Sequence, residues 1–179
     1  MIKLKTKSDL LKDIIIENCI KKGDYTLSSG IKSDIYIDLK PLLFISESLY
    51  RIKDVVIQQA LWDINCVGGK GIGALPIIIS LIQSGIFCSR GFILRDYVKS
   101  HGTQQVIEGN LYEHDNVLIV DDVVTTGESV MEVVKTVKYY NGRVRQIISI
   151  VDREQGAEKR FKEEGLLYTP LFKISEFNI

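Results

Sequence analysis

The sequence predicts an α/β fold, a parallel sheet covered by helices on both faces. Two observations carry this. The runs at 117–120 and 147–151 are apolar throughout, without the alternation of a strand that has one wet face, so both of their faces must be buried. From residue 64 onward such runs alternate with turns and stretches at helical spacing, the pattern of a sheet built by crossover connections. Right-handed crossovers bring the C-terminal ends of the strands to one edge, and open α/β sheets bind ligands there.

In chain order, Leu10, Leu11, Ile14, Ile15 and Cys19 recur at helical spacing behind Ser8, the expected cap of a helix that Gly23 ends. Residues 31–39 alternate, with Ile35, Ile37 and Leu39 on one face, and read as a strand. An amphipathic helix is expected over 46–62. The run 64–67 reads as a strand, Gly68-Gly69-Lys70-Gly71 as the turn after it, and the stretch through Gln83 as a helix. Residues 92–94 and 117–120 supply further strands, and a helix is expected over 127–140. The strand at 147–151 precedes a charged helix over 155–164.

At 179 residues the chain suits one domain, since domains run to roughly 150 residues. With 45% hydrophobic and 26% charged residues it has the make-up of a soluble globular protein whose core needs no disulfide or metal. The 23 basic and 23 acidic residues cancel, which argues against a general binder of nucleic acid or anionic membrane. Cys19, Cys66 and Cys88 have no metal-ligand spacing and read as small core residues in a reducing compartment. The lysine-interrupted N-terminus has no apolar core of a signal peptide. The apolar stretch 74–82, broken by Pro76 and Ser80, falls short of the ~20 residues of a membrane span. The expected location is cytoplasmic.

The string Val117-Leu118-Ile119-Val120-Asp121-Asp122-Val123-Val124-Thr125-Thr126-Gly127-Glu128-Ser129 is the most informative segment. A buried strand runs into two carboxylates, and a loop of hydroxyls and glycine then opens a helix. Backbone amides of such a loop, with the positive end of the helix dipole, can cradle a phosphate. Carboxylates beside a phosphate need another task, and Asp121 and Asp122 suit the cis hydroxyls of a ribose. The pair of features points to a ribose 5-phosphate. Neither a Gly-Lys-Ser/Thr phosphate loop nor a GxGxxG fingerprint is present.

This string closely resembles the motif by which type I phosphoribosyltransferases bind 5-phosphoribosyl-1-pyrophosphate (PRPP). The resemblance implies a Rossmann-like sheet flanked by helices with a small N-terminal hood, mainly residues 1–45 plus the C-terminal segment. It implies that Asp121 and Asp122 hold the ribose hydroxyls and that Thr125, Thr126, Gly127, Glu128 and Ser129 hold the 5-phosphate, with Val123 and Val124 joining the two. The segment 67–76 matches the family's pyrophosphate loop in its glycines and Pro76.

Three further segments are similar to the orotate phosphoribosyltransferases of that family. Arg95, Lys99 and His101, followed by Gly102 and Glu108-Gly109, match their flexible catalytic loop. Cationic groups there suit a departing pyrophosphate, and Lys99, His101 and Asp122 are the expected catalytic residues. Asp96 stands where many members carry a second lysine. Residues 26–38 resemble the hood, where Tyr36 and Ile37 would pack on the pyrimidine, and Ser28 replaces the usual lysine. Asp152-Arg153-Glu154-Gln155-Gly156 resembles an Asp-Arg-x-x-Gly motif, so that Arg153, with Thr125, would hold orotate. The resemblance further implies Mg²⁺ carried mainly by PRPP and a homodimer sharing the loop 95–108 across subunits. The expected reaction joins PRPP and orotate to give orotidine 5'-monophosphate and pyrophosphate in UMP biosynthesis. The alternatives are transfer to another base and a non-catalytic PRPP-sensing regulator.

Overall fold

The computed structural model describes residues 5–26, 32–86, 88–95 and 107–177. Its centre is a six-stranded sheet in the order β5-β4-β3-β6-β7-β8, formed by β3 (Cys66–Lys70), β4 (Gly91–Leu94), β5 (Ile107–Gly109), β6 (Asn116–Val124), β7 (Arg143–Asp152) and β8 (Tyr168–Lys173). All neighbours pair in parallel except β4 and β5, which are antiparallel. The chain leaves β3 toward β4 on one side and returns to β6 on the other. Crossovers therefore diverge at β3 and β6, and such a divergence opens a crevice beyond the carboxyl ends of the strands.

Alternation along β6 shows why those apolar strands are covered twice. Leu118 and Val120 enter one core with Ala74, Ile77, Ile78 and Leu81 of α4 (Gly71–Ser84). Val117 and Ile119 enter a second core with Val130, Val133, Val134 and Val137 of α5 (Glu128–Tyr139) and Phe161 of α6 (Ala157–Glu163). The first core extends to α1 (Lys7–Cys19), α2 (Lys40–Leu43) and α3 (Ser46–Gln59) through Leu11, Ile15, Leu42 and Ile52. The hood is a separate antiparallel hairpin of β1 (Ile20–Thr26) and β2 (Lys32–Ile37). Among the described residues no helix is long and apolar enough to cross a membrane.

Several boundaries differ from expectation. The first helix is capped by Thr6, whose hydroxyl accepts from the Asp9 amide at 3.1 Å while Asp9 Oδ2 accepts from the Thr6 amide at 2.9 Å. That reciprocal pair wins over Ser8, which lies inside the helix. The helix ends at Cys19, and Gly23 falls in β1 because the chain there pairs with β2. The second long helix stops at Gln59 rather than 62. Gly68 and Gly69 belong to β3 and are glycine for packing: a β-carbon at Gly68 would lie 2.3 Å from the Phe92 ring, and one at Gly69 2.6 Å from the Val120 carbonyl oxygen. Gly71, at φ 78°, makes the turn.

Candidate active site

β6 continues past the apolar run, so Asp121 and Asp122 stand on the strand and not in the turn. Pairing holds them there, with Asp121 opposite Ser149 and Val124 opposite Asp152 on β7. A cleft of about 360 Å³ opens at this end of β6, lined by Asp121, residues 123–130 and Glu132. Gly127 adopts φ 76° at the start of α5, and no side chain caps that helix, so its first amides are presented to the cleft. A β-carbon at Gly127 would meet the Phe161 ring at 2.6 Å. Arg160 Nη1 donates to the Thr126 carbonyl at 3.2 Å, so α6 supports the loop from beneath. The expected phosphate ligands, Thr125 through Ser129, thus share one wall with Val123 and Val124.

Asp121 and Asp122 leave the strand on opposite sides, as successive strand residues must. Burial first, and the neighbouring Asp122 charge second, push the Asp121 carboxyl well above the usual carboxylate range. The Asp122 amide, donating to Asp121 Oδ1 at 2.9 Å, and the Lys40 ammonium pull the other way. Ionising Asp121 in the fold therefore costs stability. That cost is present at neutral pH and disappears as pH falls below the carboxylate range. Asp121→Asn is expected to raise the melting temperature at pH 7, a gain of about 1 kcal/mol that fades in acid, while weakening PRPP binding. Paired thermal melts and calorimetric titrations check it. A variant that melts lower and binds unchanged would contradict both halves.

Asp122 lies against α4, where a β-carbon at Gly73 would fall 2.3 Å from its carboxyl carbon. The sequence marks this glycine only as part of the pyrophosphate-loop match, without its contact to Asp122, and gives Lys40 no role. Burial works to lower the Lys40 ammonium, but Asp38, at 3.1 Å from Nζ, and Asp122 outweigh it and the net shift is upward. Lys40 is thus a cation facing the paired carboxylates. The signal for it was its place two residues beyond Asp38 in the hood segment. Lys70, at the end of β3, pairs with Glu132 of α5 at 2.8 Å and ties β3 to that helix.

The expected base side is formed by the β7–α6 turn and the hood. Arg153 is only 6% exposed, and its Nη2 donates to the Ile35 carbonyl at 2.8 Å. Its amide donates to the Val124 carbonyl at 2.9 Å, so one residue joins the hood to β6. Burial lowers the Arg153 guanidinium, and Tyr36 beside it acts in the opposite direction. Tyr36 also lies 5.1 Å from the Tyr25 ring, centroid to centroid. The structure corrects the expectation for Ile37: its side chain is 5% exposed and packs in the core with Cys19 and Leu39, so it supports the hood instead of facing a base.

Arg95, at the end of β4, pairs with the Glu108 carboxylate on β5, closing the base of the segment between them. Lys99 and His101, together with Asp96 and Ser28, lie outside the described residues. All three cysteines are buried, and burial raises Cys66 to about 12 and Cys19 and Cys88 to about 11, consistent with core thiols.

With this geometry in view, similarity to known proteins becomes specific. The phosphoribosyl transferase domain family matches residues 64–168. The chain is 37% identical over 172 residues to the orotate phosphoribosyltransferase of Methanosphaera stadtmanae, covering 96% of each. It is 38% identical over 178 residues to that of Pyrococcus horikoshii, covering 97% of this chain and 94% of the relative. The crystal structure of Mycobacterium tuberculosis orotate phosphoribosyltransferase in complex with PRPP superposes with a TM-score of 0.81 at 26% identity, covering 97% of this chain and 100% of that one. A cleft at the switch point, two strand-borne carboxylates and near-full-length relatedness agree, and the chain belongs to the phosphoribosyltransferase family, among the orotate phosphoribosyltransferases.

Proposed function

We propose that this chain transfers the 5-phosphoribosyl group of PRPP to orotate, giving orotidine 5'-monophosphate and pyrophosphate in pyrimidine biosynthesis. The observation that carries the reading is the junction at β6 and β7. There the ribose carboxylates and the phosphate wall meet a buried arginine suited to a substrate carboxylate. The 5-phosphate sits on the amides and hydroxyls of 125–129, and Asp121 and Asp122 accept from the ribose hydroxyls. Arg153 forks onto the orotate carboxylate, with Thr125 at the ring edge and Tyr36 over its face. As the anomeric C–O bond breaks, negative charge grows on the diphosphate and positive charge on the ribose ring. Lys99, His101 and Arg95 answer the first, and Asp122 the second. The orotate nitrogen is the nucleophile, so positioning and charge complementarity carry the rate.

A magnesium ion fits this site as a guest of the substrate. Among the described residues no group of three or more His, Cys, Asp or Glu is placed to hold a metal. In this reading the diphosphate and ribose oxygens with water would serve as its donors, and the ion would neutralise diphosphate charge when bound. A homodimer is supported by Ile72, Leu75 and Ile79, which make an exposed apolar stripe along α4. In such a dimer the loop 95–108 would be shared across subunits. Buried free cysteines support a cytoplasmic location.

The test is orotate consumption followed by ultraviolet absorbance with PRPP and Mg²⁺, beside Lys99→Ala. Turnover is expected in the parent, with a loss of about 10²–10³-fold in the variant. Activity with another base and none with orotate would overturn the substrate. PRPP binding with every base inert would favour the regulator.

A further inference from the structure

The turn that presents Arg153 bends at the residue after it. Glu154 adopts φ 57°, a left-handed conformation that a non-glycine residue holds only when its surroundings impose it. Two contacts impose it here. The Glu154 amide donates to Asp152 Oδ1 at 2.7 Å, closing the turn around Arg153. The Glu154 carboxylate accepts from the Ser175 amide at 2.9 Å, 21 residues further along the chain. The reaction assigns no role to this second contact.

Ser175 is a firm anchor because the chain around it is fixed. It lies in a 3₁₀ turn, Ile174–Phe177, that follows β8 directly. The Lys173 amide, just before this turn, donates to Glu176 Oε1 at 2.9 Å. Phe177 ends the turn, is 3% exposed and meets Phe172 of β8 with ring centroids 5.8 Å apart. It enters the same core as Leu11 and Ile15 of α1, and the Lys12 ammonium of that helix lies 5.9 Å from its ring centroid. Lys173 also pairs with Glu158 at 2.7 Å, which ties β8 to α6, the helix after the Arg153 turn.

We infer that Glu154 is a positioning residue: its carboxylate, held by the Ser175 amide, clamps the 152–154 turn in its left-handed form and so aims Arg153 at the base. The Arg153 amide is fixed on Val124 and its Nη2 on Ile35. The side chain between those points has several rotatable bonds, so the direction of its fork depends on the backbone that carries it. A hydrogen bond at the surface is worth little by itself. This one counts because it holds a backbone conformation that a β-carbon disfavours. The inference rests on the proposed role of Arg153 toward orotate, and extends it to a residue that touches no substrate.

Glu154→Ala removes the carboxylate and keeps the β-carbon. The orotate KM is expected to rise about tenfold with the PRPP KM within about twofold, the scale of one hydrogen bond to a charged group. Glu154→Gly also removes the clamp but tolerates the left-handed form, so its orotate KM is expected to rise by less, about threefold. Glu154→Gln keeps an acceptor for the Ser175 amide and is expected to stay within about twofold of the parent. Steady-state kinetics against each substrate give the comparison, and the order Gln, Gly, Ala sustains the inference. An alanine variant with the orotate KM of the parent would overturn it, as would a glutamine variant as impaired as alanine. Equal losses for the two substrates would reduce Glu154 to a structural role and overturn it too. If the parent turns over no orotate, the proposed substrate fails by itself. The inference is then decided by the Arg153 Nη2 contact to the Ile35 carbonyl in crystal structures of the variants. Its loss in Glu154→Ala and retention in Glu154→Gln sustain the inference, and any other pattern overturns it.

Discussion

Arg153→Ala is expected to lower kcat/KM for orotate by about 10²–10³-fold while PRPP affinity changes by less than about threefold, because losing one partner of a desolvated charge pair costs roughly 3–4 kcal/mol. The asymmetry between substrates follows from its place. Arg153 is 6% exposed and its guanidinium reaches the hood through Ile35, whereas the proposed 5-phosphate wall is built from the next loop along the sheet. A guanidinium has five N–H donors in a fixed fork, so it can hold the hood carbonyl and a carboxylate together. Arg153→Lys keeps the charge and loses the fork. It should fall between parent and alanine variant. Steady-state kinetics against each substrate, with calorimetry for PRPP, measure the difference. Loss of both affinities together would mean that Arg153 holds the fold and not the base.

Gly73→Ala carries the second large effect, through a residue with no functional group. The added methyl would fall 2.3 Å from the carboxyl carbon and one oxygen of Asp122, and 2.5 Å from the other oxygen. The carboxylate is the mobile end of a side chain, so it will swing aside and the fold will absorb the change. What is lost is its proposed aim at the ribose. Misplacing a positioned group by about 1 Å costs on the order of 10²-fold, and kcat/KM for PRPP is expected to fall by that much. The urea midpoint should stay near that of the parent. A variant with full activity would show that Asp122 need not stand where α4 holds it. One that unfolds early would show that Gly73 serves packing alone.

Contiguity decided what could be read ahead of the structure. The strand at 117–120, the carboxylates and the loop 125–129 lie in one string, and short-range patterns of burial, turn and helix start are local properties of such a string. The same holds for Arg153 at the end of its strand. Elements without a local pattern escaped. β8 contains Pro170, which interrupts a strand pattern but is tolerated at a sheet edge, where β8 lies. β1 carries two lysines and a glycine and becomes a strand because β2 is there to pair with it. β5 is only three residues long.

The sequence by itself determined that helices would cover both faces of a parallel sheet, and that two carboxylates and a loop of hydroxyls and glycine opening a helix would lie beyond one apolar run. Each rests on residues adjacent in the chain. Tertiary structure alone decided which distant residues meet at the site: Gly73 under Asp122, Lys40 facing the acid pair, and the Ile35 carbonyl on Arg153. It also withdrew Ile37 from the base and put it in the core. The physical reason is that hydrogen bonding, electrostatics and steric exclusion act over a few ångströms of space. Partners such as Ile35 and Arg153 become neighbours only after the strands have paired and the hood has folded against them.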